Sequence, residues 1–130
     1  MRVILGLGLV VALAGAAMAG EVPTEVATLK GQKVTLHIYP FLTADELKAL
    51  RLVKTNKQAL QLFVTSSAGY SAMAVAPNEG FVRDGGLVPS VLAIGDLPNA
   101  EAAAAAALKG CNAARQGGEA CVVVLEVGPA

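Results

Sequence analysis

The chain has no tryptophan, two tyrosines, three phenylalanines, one histidine and two cysteines in 130 residues. One histidine and two cysteines cannot assemble a zinc or copper site from soft ligands. No excess of either charge exists, with ten Lys and Arg against ten Asp and Glu and no basic stripe, which argues against nucleic acid as a partner. There is no G-x-S-x-G, and Ser66, Ser67, Ser71 and Ser90 have no histidine near them in sequence. Gly85-Gly86 opens no helix with a following lysine, so it is not a phosphate loop. Glu79, Asp84 and Asp96 are scattered and lack EF-hand spacing, and no C-x₂-C is present. These absences point to no metal and no cofactor, and they leave no catalytic motif.

Residues 1–19 read as a signal peptide. Arg2 supplies the positive start, residues 3–14 the apolar run, and Ala17-Met18-Ala19 an A-x-A cleavage site before Gly20. The apolar run is too short and too rich in Gly and Ala to span a membrane comfortably, and Glu21 follows directly, so no stable span is expected after cleavage. The 130 residues less these 19 leave 111, enough for one domain, with nine basic and ten acidic residues. An export signal with one pair of cysteines fits an oxidising compartment, a bacterial periplasm or the exterior.

In the mature chain, residues 20–32 show little periodicity and contain Pro23, and they read as an irregular N-terminal arm. A single domain over 33–130 follows. Val34, Leu36 and Ile38 alternate with Lys33, Thr35, His37 and Tyr39, the pattern of a half-buried strand ended by Pro40. Thr43-Ala44-Asp45-Glu46 is a capping box, opening a helix with Leu47, Leu50 and Val53 inward and Lys48, Arg51 and Lys54 outward. Residues 59–65 and 70–76 read as two strands of a hairpin around Ser66-Ser67-Ala68-Gly69, with Leu60, Leu62 and Val64 sharing a face. Residues 78–86 read as a loop with Phe81 and Val82 tied down, and 87–94 as a third apolar run with Pro89 at its start.

The last third is the most regular. Asn99 is a good N-cap, Glu101 sits at the positive end of the helix dipole, and residues 102–107 are all alanine. Gly117-Gly118 turns the chain into the apolar strand Cys121-Val122-Val123-Val124-Leu125. Cys111 and Cys121 are the only cysteines, and a bond between them would staple the helix to the strand. The order β-α-β-β-β-α-β predicts an α+β two-layer sandwich, with a mostly antiparallel sheet and two helices on one face.

Residues 70–77, Ala107-Leu108-Lys109-Gly110-Cys111 and Ala120-Cys121-Val122-Val123-Val124 together resemble a group of small secreted bacterial domains of unknown function. That group has a helix ending A-L-x-x-C and a returning C-x-V-V strand. The resemblance covers the second half and implies a fold and a disulfide, not an activity. An aminolevulinate synthase label sometimes goes with short exported proteins of this kind. A pyridoxal-phosphate enzyme needs a large fold, a Schiff-base lysine and a phosphate cradle, and no lysine here has that setting.

Two candidate sites remain. His37 would need a carboxylate for acid–base work, for which Asp45 or Glu46 stand nearest in sequence; otherwise it is a solvated or packed strand residue. Phe81 and Arg83, with Asp84, would make an aromatic and cationic anchor on the 78–86 loop. Otherwise Phe81 tucks under the sheet and Arg83 pairs with Asp84 or Glu79. The sequence therefore predicts an exported non-enzymatic accessory or interaction module that meets an envelope protein or a small ligand. The alternative is a small periplasmic hydrolase-like or ligand-binding enzyme that uses His37.

Overall fold

The computed structural model describes residues 22–63 and 69–130, so the expected signal peptide and most of the turn after residue 63 lie outside the described residues. The elements run β1 (Thr24–Leu29), β2 (Gln32–His37), α1 (Ala44–Thr55), α2 (Lys57–Phe63), β3 (Tyr70–Val75), β4 (Val82–Arg83), β5 (Gly86–Leu87), β6 (Leu92–Leu97), α3 (Ala100–Ala114) and β7 (Val122–Pro129). Five strands form one antiparallel sheet in the order β1-β2-β7-β3-β6, and β4 pairs with β5 separately. The α+β class and the antiparallel sheet are as the sequence implies.

Layering departs from the two-layer expectation, and β3 shows why. Successive side chains of a strand point to opposite faces. Met73 and Val75 join Val34, Leu36, Leu50, Val53 and Phe81 in one core. Ala72, Ala74 and Ala76 join Ala103, Ala107 and Cys111 in a second. Helices α1 and α3 therefore cover opposite faces. On the α3 side, alanine meets alanine: positions 103, 107 and 111 form an i, i+4, i+8 stripe that lies close on β3 because neither surface carries bulk.

Three local readings are corrected. Residues 24–29, expected to be an irregular arm, form β1. Its inward residues are Glu25, Ala27 and Leu29, too mixed to show apolar alternation, and its turn is Lys30-Gly31 with both φ positive, at 53° and 79°. The expected strand at 59–65 begins instead as helix α2. Asn56 ends α1 by donating its N–H to Leu52, and its side chain accepts from Ala59 N–H at 3.0 Å, so one residue caps both helices. Ala59 and Leu60 are buried side by side while Leu62 is 80% exposed, which helical geometry produces and strand alternation forbids. Third, the expected 78–86 loop runs into the β4–β5 hairpin, which spans residues 82–87 and is turned by Asp84-Gly85 with φ of 55° and 79°.

The expected staple is present. Cys111 and Cys121 are bonded, with their Cα atoms 6.2 Å apart, and both side chains are buried. The capping box at Thr43 and Glu46 and the Asn99 cap also form, the latter by accepting from Ala102 N–H at 2.8 Å.

Candidate functional site

His37 ends β2 on the face opposite α1. Its partner is neither Asp45 nor Glu46. Thr35 stands directly across from Glu126 of β7, so His37 is the diagonal neighbour, and its Nε2 lies 2.6 Å from Glu126 Oε2. A diagonal pair on one sheet face is within reach of long side chains. The two side chains are about a quarter and a third exposed, so the contact is half-buried and solvent still reaches it.

Helix α3 covers β3, β6 and part of β7 but leaves this half of the sheet open. Thr24, Val26 and Thr28 of β1 pair with His37, Thr35 and Lys33 of β2, and all six share the open face with Glu126. Where the open half meets α3, a hollow of about 270 Å³ is lined by Lys33, Thr35, Tyr70, Glu126, Gly128 and Ala100, among others. Gly128 matters to its shape: a Cβ there would lie 2.6 Å from Tyr70 Cδ2, so only glycine lets the Tyr70 ring rest on β7. The lining offers an ammonium, a hydroxyl, a carboxylate and an aromatic face. That set suits a small molecule with hydrogen-bonding groups and an apolar part. Among the described residues no hydroxyl hydrogen-bonds to His37, and neither cysteine is free.

The 78–86 segment is built differently. Phe81 is fully buried in the core under β4 and cannot serve as a surface anchor. Arg83 pairs with Glu46, not with Asp84 or Glu79. Asp84 occupies the hairpin turn. Glu46 is the hub: Oε2 accepts from Phe81 N–H at 2.7 Å, Val82 N–H at 2.9 Å and Arg83 Nε at 3.2 Å. Its Oε1 accepts from Thr43 N–H at 2.9 Å and Arg83 Nη2 at 3.2 Å. Burial alone would push this carboxyl's pKa up. The Arg83 guanidinium and the N–H groups of Thr43, Val82 and Phe81 overcome that and lower it from 4.5 to about 2. The other end of the segment is held as well. Asn78 Oδ1 accepts from Glu119 N–H at 2.9 Å, and Glu79 accepts from Ser90 Oγ and Gln116 N–H. Those two contacts, the Ser90 hydroxyl first, lower the Glu79 pKa. The segment is a clamp between α1 and the α3–β7 connection.

Among the described residues no group of three or more His, Cys, Asp and Glu could hold a metal ion, and no helix is long and apolar enough to cross a membrane. Sequence reasoning missed Glu126 and Tyr70. A signal existed for the first, since Glu126 is the one charge in the run from Val122 to Val127. None existed for Tyr70, whose position follows from Gly128 on a strand far away in sequence. Comparison with protein-family models, with curated proteins and with solved structures finds no match.

Proposed function

We propose that the chain is an exported, non-enzymatic binding module, stapled by its disulfide, whose recognition surface is the open sheet face and not the 78–86 segment. The observation that carries this is the hollow beside the His37–Glu126 pair, set on strands that the core holds rigid. Its ligand class is a small molecule, or an exposed group on an envelope protein, that offers hydrogen bonds to Glu126 and Lys33 and an apolar edge to Tyr70. The Cys111–Cys121 disulfide is compatible with an oxidising compartment.

The test is a titration of the ¹⁵N-labelled protein with a fragment library, followed by amide chemical shifts. Shifts should cluster at Lys33, Thr35, Tyr70 and Glu126 and spare residues 78–86; clustering on 78–86 would reject the proposal. The second reading, acid–base catalysis, is favoured by the 2.6 Å His37–Glu126 contact. His37→Gln separates the two readings. A binding module keeps its fold and loses affinity by roughly tenfold at most, the worth of about one hydrogen bond. An enzyme loses turnover by at least about a hundredfold with binding retained.

Export is tested separately. Mass spectrometry of the protein recovered outside the cytoplasm should find Gly20 as its first residue. An intact Met1 would contradict the signal-peptide reading.

A further inference from the structure

Helix α1 and the start of α2 carry a charge asymmetry that the fold does not use. Between Leu47 and Asn78 the chain has four cations, Lys48, Arg51, Lys54 and Lys57, and no acidic residue. They recur every third position. Glu25 on β1 answers two of them: Arg51 Nη2 lies 2.7 Å and Lys54 Nζ 2.8 Å from its carboxylate. Among the described residues no carboxylate pairs with Lys48 or Lys57. Glu46 of α1 is balanced by Arg83, and counting Asp45 and Glu25 against the four leaves two positive charges here, on a mature chain that is slightly negative overall.

Leucines stand among these cations. Leu50 and Val53 of α1, with Ala59 and Leu60 of α2, satisfy the core. Leu52 is nevertheless 53% exposed, and Leu62, at 80%, is the most exposed large apolar side chain among the described residues. Leu52 belongs to a shallow hollow of about 370 Å³ whose other lining residues are Lys48, Arg51, Lys54 and Thr55.

We propose that the outer surface of α1 and α2 docks on an anionic lipid bilayer, with Lys48 and Lys57 at the headgroups and Leu52 and Leu62 entering the interface. The charge of the patch is complementary to such a surface. Exposed leucines flanked by lysines whose stems can lie along apolar surface suit a lipid interface. Because α1 covers the sheet face opposite the His37–Glu126 pair, a docked molecule would turn its open face away from the membrane. The proposal stands independently of what that face binds.

The test uses the chain from residue 20, which contains all of the described fold, and co-sedimentation with vesicles. Binding is expected to vesicles of phosphatidylglycerol and phosphatidylcholine in equal parts, to be absent from pure phosphatidylcholine, and to fall with added salt. Lys48→Gln and Lys57→Gln should each weaken it about 5-fold, as one cation near an anionic surface does. Leu62→Ser should also weaken it while thermal unfolding is unchanged, and Lys109→Gln on α3 should leave it intact. Equal binding to pure phosphatidylcholine, no effect of the two lysine variants, or an equal effect at Lys109 would overturn the proposal. So would binding to polyglutamate without binding to vesicles, which would assign this surface to an acidic protein.

Discussion

Replacing Glu46 with glutamine costs the fold about 3 kcal/mol at neutral pH, because the amide keeps one acceptor oxygen but loses the charge facing Arg83 and turns an NH₂ towards N–H donors. Alanine costs up to about 5 kcal/mol, because the Phe81 and Val82 N–H groups and Arg83 then lose their acceptor altogether. The same carboxylate sets a pH dependence. Its folded pKa, about 2, lies below its ordinary 4.5, so its contribution is complete above pH 4.5 and fades as pH falls towards 2. The gap between the two values corresponds to about 3 kcal/mol. Urea unfolding at pH 7 should therefore separate wild type from Glu46→Gln by that amount, and the two curves should converge near pH 2. Glu25 contributes in the same window, since hydrogen bonds from Arg51 and then Lys54 hold its pKa at about 2. That site is solvent-accessible, so its share weakens with salt more than the Glu46 share does. A Glu46→Gln protein as stable as wild type at pH 7 would remove the clamp from the account.

Loss of the disulfide is the second large effect. The bond closes a loop with a sequence separation of 10, for which lost chain entropy in the unfolded state is worth about 2–3 kcal/mol. Cys111→Ser with Cys121→Ser places hydroxyls among Ala72, Ala74 and Ala107, so the measured loss should reach or exceed that figure. This is a large share of a small domain's stability, which is about 5–15 kcal/mol in all. Native protein should show no thiol that a labelling reagent can reach. Two labelled thiols in a protein of unchanged stability would contradict the staple.

What the sequence disclosed was what short-range chemistry determines. The Thr43–Glu46 capping box, the Asn99 cap, the alternation of β2 and the pairing of the only two cysteines can each be read within a dozen residues. The misreadings share a different cause. Strand β1 hides because its inward row begins with Glu25, whose burial depends on Arg51 and Lys54 of a helix 26 and 29 residues away. Helix α2 hides because Asn56 looks like an exit when only α1 is in view, yet it caps both helices. The Asp84-Gly85 hairpin hides because its strands are two residues each, too short to show alternation among polar and glycine neighbours.

The candidate site divides in the same way. That His37 would seek a carboxylate was legible; that the carboxylate is Glu126, 89 residues on, depends on the register of β2 against β7. That Phe81 and Arg83 are tied down was half legible, but their anchor is Glu46, a residue that local reading had already fully occupied as a cap. One carboxylate with two oxygens serves the helix start and the clamp together. This is why the 78–86 segment reads as a binding loop in sequence, while in space Phe81 is core and the residues after it are tied to α1.

The claim that orders the rest is that residues 78–86 are bolted to α1, which leaves the open sheet face for recognition. Amide hydrogen exchange at neutral pH tests it most directly. The Phe81 and Val82 amides, donors to a fully buried carboxylate, should exchange as slowly as the central strand β7, and Glu46→Gln should accelerate them far more than it accelerates β7. Fast exchange of both amides in the wild-type protein, at the rate of a free loop, would contradict the account and return 78–86 to candidacy as the binding surface.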